Sequence, residues 1–112
     1  MILFSKYLVP KGYTGITIYP FVFLRSKRFK NDVVLINHEK IHLKQQLELL
    51  VLPFYLIYLI EFVVRFCIYQ NWFKAYRNIS FEREAYYNQT NLNYLKTRSF
   101  WRFTHYFCKN DI

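Results

Sequence analysis

His38-Glu39-Lys40-Ile41-His42 is the stretch on which the reading of this chain turns. It holds two of the three histidines in the sequence, four residues apart, with a glutamate directly after the first. Residues four apart share one face of a helix, so His38 and His42 can direct both imidazoles at one metal ion. Glu39 then stands near a water on that ion and can take its proton. The plainer alternative is a solvated helix carrying two unligated histidines.

The residues around the motif favour a helix with an enclosed face. Asn31 or Asp32 is a suitable N-cap, and the helix is expected over residues 31–52, where Pro53 interrupts it. His38, His42, Gln45 and Leu49 fall on one face, bordered by Val34, Leu35 and Ile41. Lys40, Lys44 and Leu47 fall on the other side. Upstream, residues 1–30 read as a β-rich N-terminal part. Ile16 to Leu24 is β-branched and aromatic and is expected to be a strand, at an edge or bulged at Pro20, pairing with residues 2–9 in a small hairpin.

Downstream, Leu49 to Ile60 carries no charge for twelve residues, and the apolar run continues to Tyr69 past Glu61 and Arg65. Glu61 and Arg65 are spaced to pair on a helix. An apolar helix over 54–69 fits two environments, the centre of a small globule or a lipid bilayer. The aromatic residues and the positive charge around it favour lipid, with membrane contact through residues 49–69. Ser80 is placed to cap a helix over 80–96 that bears Glu82 and Glu84, and residues 97–112 form an aromatic, basic tail.

The whole length of 112 residues fits a single domain, 54% hydrophobic and 22% aromatic, which supplies a core; two Gly and three Pro argue against a loop-rich chain. The net charge of +9 comes from Lys and Arg scattered among aromatics, without any nucleic-acid motif. A membrane surface is therefore the expected partner of this charge, and no nucleic acid is expected. Cys67 and Cys108 follow no metal or redox spacing and are expected as free thiols, buried as small hydrophobes, in a reducing compartment. Met1 to Lys6 has none of the marks of a secretory signal, so an intracellular, non-secreted protein is expected.

Two imidazoles leave a zinc site one protein ligand short. Glu82-Arg83-Glu84-Ala85 follows His42 by forty residues. This H-E-x-x-H and E-x-x-A pair resembles that of small gluzincin-like zinc metallopeptidases of bacteria, and His42-Leu43-Lys44-Gln45-Gln46 is similar to the H-x-x-Q-Q continuation of some of them. The resemblance covers roughly residues 31–90. It implies one Zn²⁺ per chain held by His38, His42 and Glu82, with Glu39 as general base. It also implies a strand edge before the motif helix that aligns an extended peptide or protein substrate.

Where such families carry an aspartate that orients a histidine, this chain has Tyr86. A phenol accepts a hydrogen bond but brings no negative charge. Tyr86 and His105 are the candidates for that supporting position or for stabilising an oxyanion. Glu82 and Glu84 lie about 200° apart around a helix, so only one can face the metal. Ala85 and Tyr86 on the Glu82 side select Glu82, while Asn88 keeps Glu84 as the alternative. The expected fold is α+β and predominantly helical, a small N-terminal β-hairpin on the motif helix followed by the apolar and glutamate-bearing helices. The expected function is zinc-dependent peptide hydrolysis through a metal-activated water, at a membrane. The alternative is a non-catalytic helical protein of a membrane assembly, with or without metal. An open strand edge beside His38 would separate the two.

Overall fold

Three short strands open the chain in this computed structural model, which describes residues 2–107. They are Ile2–Phe4 (β1), Gly15–Ile18 (β2) and Phe21–Leu24 (β3), in the order β1-β3-β2. Five helices follow: Val33–Leu49 (α1), Val51–Tyr69 (α2), Trp72–Arg77 (α3), Ser80–Asn88 (α4) and Tyr94–Thr97 (α5). The fold is α+β and predominantly helical, with its sheet at the N-terminal end.

The hairpin differs from the expected one. Ile16 to Leu24 is two strands, not one, because the chain reverses at Tyr19-Pro20. β2 and β3 are antiparallel, with Ile16 opposite Phe23 and Ile18 opposite Phe21. A proline, which has no N–H for a ladder, is accommodated in a turn without losing a sheet bond. β1 is not the hairpin partner but joins β3 in parallel. Val22 and Leu24 of β3 are buried, and α1 packs against β2 and β3.

Asp32 caps α1, accepting from the Leu35 N–H at 3.0 Å. The helix stops at Leu49, three residues before the expected end. Leu50 takes a left-handed φ of 68°, and Pro53 sits inside the first turn of α2, where a missing N–H breaks no helical bond. The break thus belongs to Leu50, and Pro53 starts the next helix instead of ending the last.

α2 has two apolar faces with different fates. Phe54 is its one fully buried residue, so α2 is not the buried central helix that its composition also permits. Glu61 and Arg65 turn inward and do not spend their hydrogen bonds on each other. Glu61 accepts from Ser80 N–H at 2.9 Å and from Ser80 Oγ at 2.6 Å, and Arg65 donates to the Phe107 carbonyl at 2.7 Å. With both charges engaged by groups away from this face, Leu52, Leu56, Leu59, Ile60, Val63, Val64 and Ile68 are all more than half exposed. Cys67 is also exposed, not buried as expected.

Glu61 also changes the start of α4. Ser80 is its first residue and not its cap; the acceptor at this N-terminus comes from Glu61 on another helix. α4 ends at Asn88, well short of residue 96. The Asn88 side chain bonds back to the Glu84 carbonyl at 2.8 Å, and Asn37 of α1 draws on the Gln89 and Asn91 carbonyls at 2.8 and 3.0 Å. Side chains that serve backbone groups in this way end a helix readily.

One core cluster joins Phe54, Ile79, Phe81 and Phe103, with Phe81 4.3 Å from Phe54 and 4.7 Å from Phe103 between ring centroids. A second joins Ile41, Ala85 and Tyr94 and brings α1 against α4. The tail contributes through a 3₁₀ turn, Arg102–Tyr106, whose Phe103 and Tyr106 are buried. The rest of the expected tail, residues 108–112 with Cys108, lies outside the described residues.

Glu61→Ala is expected to destabilise the fold by about 1–2 kcal/mol, because two donors at the α4 N-terminus lose their shared acceptor. The urea midpoint of the purified variant measures this; a midpoint equal to wild type would remove Glu61 from the account of α4.

Candidate metal centre

α1 and α4 cross so that His38, His42 and Glu82 meet, all three buried. His38 Nε2, His42 Nε2 and Glu82 Oε1 form a triangle with every edge 3.2 Å. A four-coordinate ion with bonds of ~2.0–2.1 Å spaces its ligands about 3.4 Å apart. The triangle therefore has the dimensions of one face of such a site, and this group can hold a metal ion.

The hydrogen bonds behind the ligands fix which atoms converge. His38 Nδ1 lies 2.8 Å from Gln89 Oε1, and His42 Nδ1 lies 2.8 Å from Gln45 Oε1. The Gln45 amide is oriented in turn, because its Nε2 donates to the Phe81 carbonyl at 3.2 Å and to Glu84 Oε1 at 3.0 Å. An amide oxygen accepts, so Nδ1 carries the proton in each ring and Nε2 presents its lone pair. Glu82 is held likewise: Tyr58 of α2 donates to Oε2 at 2.7 Å and leaves Oε1 to the triangle.

Three lone pairs this close repel unless a cation lies among them. In the metal-free protein a proton serves. Burial by itself would lower the His42 pKa, but the charges of Glu82 and Glu39 outweigh it and raise it from 6.5 to about 9. Burial would raise the Glu82 carboxyl, yet the two histidines hold it well below the usual carboxylate range.

Glu39 is buried beside the triangle and faces β2. Thr17 Oγ1 donates to Glu39 Oε1 at 2.8 Å and also approaches the Glu39 carbonyl at 3.1 Å. Gly15 runs alongside: a Cβ there would lie 3.3 Å from Glu39 Oε2 and 3.2 Å from Leu24 Cδ2. Any side chain at position 15 would crowd this carboxylate.

Residues even in number along β2 direct their backbone hydrogen bonds to β3, in phase with the Arg25 N–H to Thr14 carbonyl bond of 2.9 Å. The backbone groups of Gly15 and Thr17 therefore point to the outer edge. No strand covers that edge among the described residues. Gln46 and Tyr55 close its far end, where Gln46 Nε2 and the Tyr55 hydroxyl reach the Thr17 carbonyl and the Tyr19 N–H donates to Gln46 Oε1.

A cleft follows the edge in two halves. One, of about 500 Å³, is walled by Lys11, Asp32, Leu35, His38 and Gln89. The other, of about 570 Å³, is walled by Phe54, Tyr55, Tyr58, Leu59 and Phe62 and reaches His42 and Glu82. Tyr13, Gly15, Glu39, Trp72 and Tyr76 belong to both, so the halves meet at Glu39.

The other sequence candidates fall elsewhere. Glu84 lies on the far face of α4, which is buried and not solvated. It accepts from Tyr94 at 2.6 Å and pairs with Arg98, which also reaches Glu48 at 2.8 Å. Tyr86 orients no ligand: its ring stands edge-on to His38 at 4.4 Å and its hydroxyl meets that of Tyr76 at 3.0 Å. Gln45 and Gln89 occupy the orienting positions instead. Burial, with the charge of Glu82 next, keeps Tyr76 a neutral phenol. His105 is exposed on the C-terminal 3₁₀ turn and lines neither half of the cleft.

Gln45 was visible in sequence as a residue on the histidine face, and Gln89 as one seven residues after Glu82. Tyr58 and Thr17 gave no signal. No family model, curated protein or solved structure matches the chain, so its reading rests on this geometry.

Glu82→Ala is expected to lower divalent-metal affinity by orders of magnitude and leave the fold intact. Glu84→Ala is expected to leave Arg98 with Glu48 as its one buried carboxylate partner and to destabilise the fold by about 1–3 kcal/mol. Chelator competition and urea unfolding on both variants test this, and a reversed assignment of the two effects would refute the geometry.

The His42 proton gives a second test. Metal must displace it, so below about pH 9 apparent affinity is expected to rise about tenfold per pH unit, with proton release. The same raised pKa stabilises the metal-free fold fully below about 6.5, and that contribution is lost as pH rises through about 9. Calorimetric titration with metal in buffers of different ionisation enthalpy counts the protons; none released at neutral pH would exclude the His42–Glu82 ion pair.

Proposed function

We propose that the chain is a zinc-dependent peptidase working at a membrane. The observation that carries this reading is the convergence of two oriented imidazoles and one carboxylate oxygen beside a carboxylate and a strand edge that no other strand covers. Two nitrogens and one oxygen at tetrahedral spacing, with a position left for water, suit zinc. A zinc ion held by His38, His42 and Glu82 would supply Lewis-acid polarisation of a scissile carbonyl and a water of lowered pKa.

The chain's own residues do the rest. An extended substrate pairs with the outward backbone groups of Gly15 and the Thr17 N–H, the Thr17 carbonyl being held by Gln46 and Tyr55, which sets the scissile bond beside Glu39. Thr17 fixes Glu39 through Oε1 and leaves Oε2, next to the side-chain-free Gly15, to take a proton from the attacking water. Glu39 passes that proton to the leaving amine. Tyr76 and Tyr86 border the cleft with Tyr76 a neutral phenol, the kind of donor that stabilises an oxyanion. An edge beside His38 and Glu39 that no other strand covers supports hydrolysis over the non-catalytic assembly protein.

The membrane part of the reading rests on α2. It is long and apolar enough to cross a bilayer, and its outer face carries seven large aliphatic residues without a charge. Charges scattered over the surface, +9 in all, would favour an anionic leaflet on the intracellular side.

Glu39→Gln is expected to bind zinc as wild type does and to hydrolyse peptides ~10²–10⁴-fold more slowly. Metal analysis and turnover on a responsive peptide decide it; unchanged turnover would end the assignment of Glu39. The paired change Leu56→Glu with Ile60→Glu is expected to release the protein from the membrane pellet with its metal intact. Recovery of wild type wholly in the soluble fraction would count against the membrane.

A further inference from the structure

The two halves of the cleft differ in chemistry, and the difference has a direction. The half beyond His38 mixes Lys11, Asp32 and Gln89 with Val34, Leu35 and Phe73. The half beyond His42 and Glu82 is walled by Phe54, Tyr55, Tyr58, Leu59 and Phe62. Leu59 is 59% exposed and belongs at once to this wall and to the outer face of α2. The apolar half is thus continuous with the apolar surface of the helix, and no residue of α2 lines the more polar half.

Its size also carries information. About 570 Å³ is the volume of a pocket that encloses a whole small ligand, more than one side chain fills. An extended chain on the β2 edge passes Glu39 at the junction of the halves, so its two sides enter different environments. Resting on the peptidase reading, we infer that the substrate is a polypeptide with apolar side chains on one side of the scissile bond and polar residues on the other. This is the chemistry of a chain where it leaves a membrane, with its lipid-side residues in the apolar half. An all-polar peptide would leave the apolar half wet, and an all-apolar one would take water from Lys11, Asp32 and Gln89 while offering them no polar group in exchange.

The probes are four labelled peptides of equal length: apolar-polar, polar-apolar, all polar and all apolar, with Leu-Phe-Leu and Ser-Thr-Ser as the blocks. Their binding is read by fluorescence anisotropy on full-length Glu39→Gln protein in non-ionic detergent, with detergent alone as the blank. Their cleavage is read on wild type. One of the two mixed peptides is expected to bind about tenfold or more tightly than the other three. Leu59→Glu, at an exposed position that the fold tolerates, is expected to abolish that preference with metal content unchanged.

The outcomes separate. Cleavage by wild type with equal binding of all four peptides overturns the inference and leaves the peptidase reading standing. Selective binding of one mixed peptide that wild type never cleaves supports the asymmetric cleft and overturns the peptidase reading. Tightest binding of the all-apolar peptide, or displacement of every peptide by monomeric short-chain phosphatidylcholine, overturns the polypeptide assignment in favour of an apolar or lipid occupant.

Discussion

Three acceptor atoms held 3.2 Å apart in a buried space are an arrangement that only a positive charge makes stable. Everything else in this small fold is arranged to enforce it. Each acceptor has its second atom tied elsewhere, to Gln89, Gln45 and Tyr58, so none can rotate away to relieve the repulsion. The orienting groups on the histidines are neutral amides. They fix the tautomer and the ring plane without adding negative charge, which leaves Glu82 and the nearby Glu39 as the anionic groups at the centre.

The scaffold accounts for how α1 and α4 come so close. Ala85 against Ile41 keeps the helices near each other, and Asn37 fastens α1 to the carbonyls that follow α4. On the far side of α4, the Glu84–Arg98–Glu48 cluster buries three charges with mutual partners. Such a cluster is weak evidence of stability, since desolvation offsets most of the attraction. Its visible consequence is geometric: Gln45 donates to Glu84 and thereby presents its oxygen to His42. The ligand on one face of α4 and the ion pair on the other are linked through one amide.

α2 serves both the site and the surface. Its inner face gives Tyr58 to Glu82, Tyr55 and Phe54 to the cleft, and Glu61 to the start of α4. The two charges that interrupt its apolar run are the ones that turn inward, which leaves the outer face wholly apolar. A helix that supplies a ligand's partner with one side and exposes aliphatic residues on the other couples the site to whatever medium covers that surface.

The residues of one short motif and the composition of one long segment determined much of this protein by themselves. H-E-x-x-H at helical spacing puts His38 and His42 on one face because the period of the helix leaves no choice. The same rule sets Glu82 and Glu84 on opposite faces, and the mix of helical and β-rich segments gives the class of the fold. What the sequence left open depends on contacts between distant elements. The expected strand over 16–24 became two because the chain turns at Tyr19-Pro20, and β1 joins β3 in parallel across about twenty residues, a pairing that no local pattern announces. The helix expected over 80–96 stops at Asn88 because Asn37, on another helix, takes the next carbonyls. Glu61 was read as a partner for Arg65; the Arg65 charge does act on it, but its hydrogen bonds hold the start of α4. Gln45, Gln89 and Tyr58 gained their roles only when α1, α2 and α4 met, since a hydrogen bond across many residues has no period or spacing to read.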